Sequence, residues 1–531
     1  MIWHIFKKDW KLFRFHALFL ALFEFANIAI LIVEPFSNIG IAGLLRMIFP
    51  VSTLAGGVAL MVALFHQEAI PGVRQDWLIR PINRRDLLLA KLLSILILVQ
   101  LPLFASDVLY GLGYGFSLTQ SVAAAFARNI VVWVTISLPA VAIASVSRNF
   151  SEAVAIILGL ALVSGVFVVG TRPLYWELRT IYDVTAETGL AWIPLALGYA
   201  VVLIGVLSVL AVQYMKRKTL FARIVVGLAG IAFWALVLFT PWTTAFAIES
   251  GLSSRPNAGN TVAVSFDPTI GRLKRAPRPQ TRGKDYTEYI PVRVEGLAQG
   301  SIVRVDLSDA YSTDELGTTR HFSRDKNVDL HSNGPNHLRL QLEALSRDPT
   351  LTPYNDPLIK DKPFQLQLEL SMTLLELRNE TPLPGLLGPV AQPIPKHICG
   401  NWISSFSAPW PDEGDPRETA VNVRCMPVIA QPPCVTLVLA NLPQPYVIRP
   451  SLQCYRDYSP HYGYLAPGGE AVNATANIGD PSGTVRYPQG LEGLTKTNAT
   501  LRWYEPVDHF KRKIVIPNMR LGDWVSEDSN K

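Results

Sequence analysis

Long apolar runs between residues 17 and 246 constrain this chain more than any other feature. A bilayer core about 30 Å thick takes roughly 20 residues of helix, so a run of about 18 apolar residues is read as a membrane span. Seven spans are expected, at 17–33, 44–65, 87–110, 122–146, 152–170, 190–214 and 222–246. Arg128 leaves the start of the fourth open. Beyond residue 246 the chain turns polar, Pro-rich and alternating, so the mean hydropathy of +0.25 averages two regimes and describes neither.

The net charge of +6 would suit a nucleic-acid partner by sign alone. Its placement argues against one, and no basic-aromatic RNA motif or zinc-finger spacing occurs. Lys and Arg gather in alternate connecting segments: Lys7, Lys8, Lys11 and Arg14; Arg74, Arg80, Arg84, Arg85 and Lys91; Arg148; Lys216, Arg217, Lys218 and Arg223. Basic loops stay cytoplasmic. The expected protein is therefore a multi-pass plasma (inner) membrane protein with a cytoplasmic N-terminus. An odd number of crossings then makes everything after about residue 247 extracytoplasmic.

All four cysteines, Cys399, Cys425, Cys434 and Cys454, lie in that outer half. An even count facing an oxidising space reads as two disulfides. Nearest-neighbour pairing, Cys399–Cys425 and Cys434–Cys454, is expected among three possibilities, each loop contributing about 3 kcal/mol on a chain-entropy account. No Cys-x-x-Cys spacing supports a metal site.

Residues 1–16 form an amphipathic helix when wound, with Ile2, Ile5, Phe6, Trp10, Leu12 and Phe13 on one side and Lys7, Lys8, Lys11 and Arg14 on the other. Such a helix suits the lipid headgroup boundary. Asp9 is anomalous, because it falls inside the apolar arc. Glu24 and Asn27 in the first span and Asp107 in the third are polar groups at membrane depth. They serve either a translocation path or an interspan hydrogen bond.

The segment between the second and third spans carries the functional hint. Trp77-Leu78-Ile79 is an apolar knob in a charged loop, Pro81 ends it, and Asn83 can cap the helix that follows, with Asp86 three residues on. Arg84 and Arg85 stand at the positive end of that helix, where the dipole disfavours cations. They fit either an acidic partner or a topogenic role. This stretch, from Glu68 through Leu78-Ile79-Arg80-Pro81-Ile82-Asn83-Arg84 to Lys91, resembles the corresponding loop in permeases of type-2 ABC exporters. Ala90 stands where that family usually has Gly. The resemblance covers roughly residues 1–220 and implies a coupling helix that docks a separate ATPase through Trp77, Leu78, Arg80, Arg84 and Arg85. It also implies a homodimer or a heterodimer with a paralogous permease. No P-loop occurs in this chain, so no cofactor is expected on it. ATP and Mg would belong to the partner subunit.

The outer half reads as all-β. Phe364, Leu366, Leu368, Leu370, Met372 and Leu374 alternate with polar residues, the pattern of a half-buried strand. Val292–Val294 and Ile302–Leu307 flank Gly296–Gly300, which reads as a hairpin. Val435–Leu439 and Thr500–Trp503 are further strands, and the class suggested is a β-sandwich. No hydrolase or metalloprotease motif is found there. The expected organisation is thus an interfacial helix at 1–16, a polytopic α-helical permease-like domain of about seven spans at 17–246, a linker at 247–285, a β-rich module at 286–380 and a second, cysteine-bearing β-rich module at 381–531. Two functions compete. One is an ATP-driven export permease, not itself an enzyme, with the β domain capping, gating or capturing cargo. The other is a membrane-anchored β domain acting as a binding or sensory protein without transport.

Overall fold

A computed structural model describes residues 1–33, 40–67, 83–113, 116–170, 190, 192–271, 286–313, 317, 319–332, 336–342, 363–383, 398–404, 418–426, 434–440, 447–454, 472–479 and 498–520. The first half is helical: α1 (Ile2–Val33), α2 (Gly40–His66), α3 (Arg84–Gly113), α4 (Leu118–Val146), α5 (Phe150–Gly170), α6 (Trp192–Lys216), α7 (Thr219–Phe239) and α8 (Trp242–Gly251). Among the described residues, six helices are long and apolar enough to cross a membrane, and Phe150–Leu160 of α5 is a shorter apolar stretch.

Three boundaries differ from expectation. No break separates residues 1–16 from the first span, because α1 runs unbroken for 32 residues. Ile5, Phe6, Phe13 and Ala17 are buried, so that arc packs on neighbouring helices, while Trp3 and Trp10 lie exposed. The fourth span begins at Leu118, where Ser117 and Gln120 form a capping box. The last long helix stops at Phe239, and Pro241 precedes the separate α8. A proline one or two residues past a helix end cannot continue it.

Helices α6 and α7 pack closely through small residues. A Cβ on Gly205 would stand 2.7 Å from the Ala229 Cβ. Small residues permit such approach where lipid offers no hydrophobic drive.

The second half holds two sheets. The larger has nine strands in the order β1-β2-β5-β4-β3-β6-β13-β9-β11, the smaller four in the order β10-β12-β8-β7. In the larger sheet, β1 is Ala263–Phe266, β2 Tyr286–Glu295, β3 Ile302–Thr313, β4 Thr319–His331, β5 Asn336–Leu342, β6 Phe364–Leu383, β9 Cys434–Ala440, β11 Gln453–Cys454 and β13 Asn498–Met519. In the smaller, β7 is Ile398–Ser404, β8 Glu418–Met426, β10 Val447–Ser451 and β12 Val472–Gly479. Neighbouring strands pair antiparallel throughout.

The expected hairpin across Gly296–Gly300 does not form. Both edges of β2 are taken, by β1 on one side and β5 on the other, while β3 pairs with β4 and β6. Gly296 has φ +75°, and a side chain there would collide with the Thr261 carbonyl, so the chain turns where only glycine fits.

Residues 247–271 are not a free connection either. Asp508 accepts from Gly259 N at 2.8 Å, Arg512 donates to the carbonyls of Gly259 and Val262, and Arg255 pairs with Glu376. Nor does the boundary near 381 divide the sheet. β6 runs across it, and β13 pairs with β6 on one side and β9 on the other. The register shift in β13 at Pro506/Asp508 falls where proline cannot donate to the ladder.

The alternation in β6 holds for Leu366, Leu368, Leu370 and Met372, all at most 1 % exposed. Between residues 370 and 375 both faces are buried. The second face there, carrying Ser371, Thr373 and Leu375, is covered by α8 contacts and by the Cys434–Cys454 region.

Candidate functional site

Helices α1 and α3 run side by side, joined by polar contacts, two of which share the same sequence offset. Lys91 Nζ donates to both carboxylate oxygens of Asp9, at 3.1 and 2.9 Å, and the two side chains are 1 % and 0 % exposed. The Ser94 hydroxyl, bonded to the Ala90 carbonyl, lies 3.4 Å from Asp9 Oδ2. Farther along, Ser106 Oγ lies 3.4 Å from Glu24 Oε1. Lys91–Asp9 and Ser106–Glu24 each join residues 82 apart, so the helices are parallel and in register. At 1.5 Å per residue the two contacts stand about 22 Å apart, roughly three-quarters of the depth of a bilayer core. The acid that interrupts the apolar arc of α1 is thus the buried partner of Lys91.

Two of the polar residues expected from sequence, Glu24 and Asp107, come together, with Asn27 one turn along α1. Glu24 is 4 % exposed, Asn27 is 1 % exposed one turn beyond it, and Asp107 adjoins Ser106. Arg128 from α4 forms an ion pair with Asp107 and also acts electrostatically on Glu24. Two carboxyls therefore share one guanidinium. Asn27 Oδ1 has no hydrogen-bond partner among the described residues. An arginine inside a span needs such compensation, because an unpaired charge at that depth costs several kcal/mol. This resolves the ambiguity of Arg128.

A third polar contact was missed by sequence reading. Gln100 Nε2 donates to Ser137 Oγ at 2.6 Å, with both residues buried. Each is the last residue of a π-helical segment, Leu96–Gln100 in α3 and Trp133–Ser137 in α4. Pro102 and Pro139 follow two residues later. A proline inside a helix lacks the N–H for its bond to residue i−4 and clashes with that carbonyl. Widening the preceding turn moves the carbonyl away, as the Leu101 N–H bond to Leu96 O and the Leu138 N–H bond to Trp133 O record. The repeated Leu-Pro after a polar residue was the available signal.

The loop residues Trp77, Leu78 and Arg80 lie outside the described residues. Arg84 and Arg85 open α3, where Asn83 Oδ1 accepts from Arg85 N at 3.1 Å as the expected cap. Arg85 is exposed and Arg84 partly so. They stand about 33 Å along α3 from the Glu24–Asp107 cluster at 1.5 Å per residue. Lys91 connects the start of α3 to α1.

The two halves of the chain meet at α8. Trp242, Ala245 and Phe246 form an apolar cluster with Leu190 and Ile193 and with Leu307 of β3. Beside it runs a buried polar chain. Trp192 Nε1 donates to Glu249 Oε2 at 3.0 Å, and Glu249 Oε1 lies 3.5 Å from His509 Nε2. His509 Nδ1 is 2.8 Å from Thr373 Oγ1, which donates to Asp306 Oδ2 at 2.6 Å. Because that hydroxyl proton goes to Asp306, His509 Nδ1 must be the donor to Thr373. Nε2 then faces Glu249 across a contact that needs one proton, on either group.

Cys434 and Cys454 are disulfide-bonded, as expected, joining β9 to β11. The backbone register of β7 and β8 sets Cys399 opposite Cys425. Among the described residues no group of three or more His, Cys, Asp or Glu side chains converges to hold a metal. Comparison with known protein families returns no match, and comparison with curated proteins returns none either.

Proposed function

We propose that this chain is the membrane subunit of an ATP-driven exporter, moved by a separate ATPase that docks on the loop before α3. The observation that carries this reading is the buried Lys91–Asp9 pair. Lys91 is the lysine of the type-2 exporter resemblance, and its bond to α1 gives a push on Trp77–Arg85 a stiff route into two helices. The shared-charge cluster of Glu24, Asp107 and Arg128, with Asn27 beside it, supports a polar path at membrane depth. In this reading seven helices cross the inner membrane, the N-terminus is cytoplasmic, the β domain is a sandwich outside, and two such permease halves form the pore. The contact between α8 and the sheet through Glu249 and His509 supports a β domain that moves with the helices over one merely tethered to them.

The test is co-purification from detergent with an endogenous ATPase. Arg84→Glu with Arg85→Glu should abolish that association while leaving thermal stability unchanged, since neither residue is buried. Retained association in the double variant refutes docking at this loop. A cytoplasmic location of the C-terminal region would refute the topology.

A further inference from the structure

A groove of about 680 Å³ opens between α1 and α2. Its α1 wall is aromatic, with Phe13, Phe19 and Phe23; its α2 wall is small, with Gly56, Ala59 and Ala63. At Gly56 the helices are in ordinary contact, the nearest Leu20 carbon standing 3.7 Å from an added Cβ. The small residues beyond leave the space open. Both walls belong to helices apolar enough to span a membrane.

One end of the groove is cationic. His16 lines it, and the Arg14 guanidinium sits 4.8 Å from the ring of Phe15, another lining residue. Phe150 closes the same end, and Arg148, exposed, lies two residues before it. The nearby acid, Glu152, already accepts from Arg223 at 2.6 Å and from Arg148 N at 2.5 Å. Among the described residues no carboxylate lines the groove. The depth also matches. Counting about 20 residues of bilayer core back from Val33 brings the headgroup level to Phe13–Arg14, the cationic end.

We infer that this groove is a binding site for an anionic phospholipid, with one acyl chain between α1 and α2 and the phosphate-bearing headgroup against Arg14, His16 and Arg148. An apolar slot whose headgroup-level end carries His16, with Arg14 and Arg148 one and two residues from its lining, fits an amphiphile of that polarity. A second copy of this chain would have to bring an acidic edge to the same place. The inference needs only that α1 and α2 span a bilayer. It does not depend on the ATPase.

The experiment uses the full chain reconstituted in phosphatidylcholine bilayers, with spin label on the acyl chain of phosphatidylglycerol or of phosphatidylcholine. The motionally restricted signal should favour phosphatidylglycerol by about 25-fold at low salt, from roughly fivefold for each of the two arginines near the surface. Arg14→Gln with Arg148→Gln should bring that preference close to one, and these exposed changes leave the fold intact. Ala59→Phe should remove the restricted component by filling the groove, with the unfolding temperature recorded alongside. Equal association of the two lipids with the unaltered protein overturns the inference. So does a preference that survives the double arginine change. If Ala59→Phe disrupts a dimer and leaves lipid association unchanged, the groove is a subunit contact and the inference is likewise overturned.

Discussion

Lys91 Nζ stands 2.9 Å from Asp9 Oδ2 with both side chains almost wholly buried, an ion pair between two parallel helices. Removing one partner leaves the other charged and unsolvated. Asp9→Ala should therefore cost about 3–5 kcal/mol in detergent unfolding. The double change Asp9→Leu with Lys91→Met should recover most of that stability, because apolar packing commonly replaces a buried pair at little cost. If the double variant is as unstable as the single one, the pair is not the source of the loss.

Arg128 is held at depth by Asp107 and the neighbouring Glu24. Arg128→Met leaves two carboxyls without a counter-charge. It should destabilise the helical half by about 3 kcal/mol, and Asp107→Leu in the same chain should offset much of that. A double-mutant cycle read by thermal unfolding measures the coupling; a coupling near zero would contradict the ion pair.

The contact between the halves makes a sharper prediction. Glutamine at 249 can still accept from Trp192 and can donate to His509 Nε2, so Glu249→Gln should change stability little. Glu249→Ala loses both bonds and should loosen the α8–sheet contact by about 1–3 kcal/mol. Hydrogen exchange around Thr373 and His509 would report it as faster exchange in the alanine variant alone.

Asp267 gives a pH signature in the β half. The hydroxyl and amide of Thr269, with Arg293 beside them, hold its carboxyl below the usual carboxylate value. A carboxyl whose folded value is depressed contributes stability above its unfolded value, near pH 4, and loses it as pH falls through the folded value. Asp267→Asn should therefore be less stable than the unaltered chain at pH 5–7, with the gap closing below about pH 4. A gap that is constant with pH would assign the effect to packing.

Much of the helical half was legible because span formation is a local property. The apolar runs around Met61, Ile95 and Val209 are each long and apolar enough to be recognised alone. Asn83 as a cap was equally local. Asp9 was legible only as an anomaly, because its partner lies 82 residues away. Asp107 and Glu24 were visible as polar intrusions, yet nothing nearby in sequence showed that Arg128 would join them. In the β half the strands at Leu366–Met372 and Val435–Leu439 followed from alternation. Their neighbours did not, since pairing is chosen among distant edges, and the edge beside Val292–Val294 was taken by Ala263–Phe266.

By itself the sequence determined a membrane-embedded helical half, a strand-rich half and the residues at which polarity breaks the apolar pattern. Those follow from composition and period within single segments. The tertiary structure alone decided which of those residues meet, that Ala263–Phe266 joins the sheet as its edge strand, and that β13 closes onto β6. Such choices rest on contacts between elements far apart in the chain, where burial and charge compensation are settled only when the elements pack.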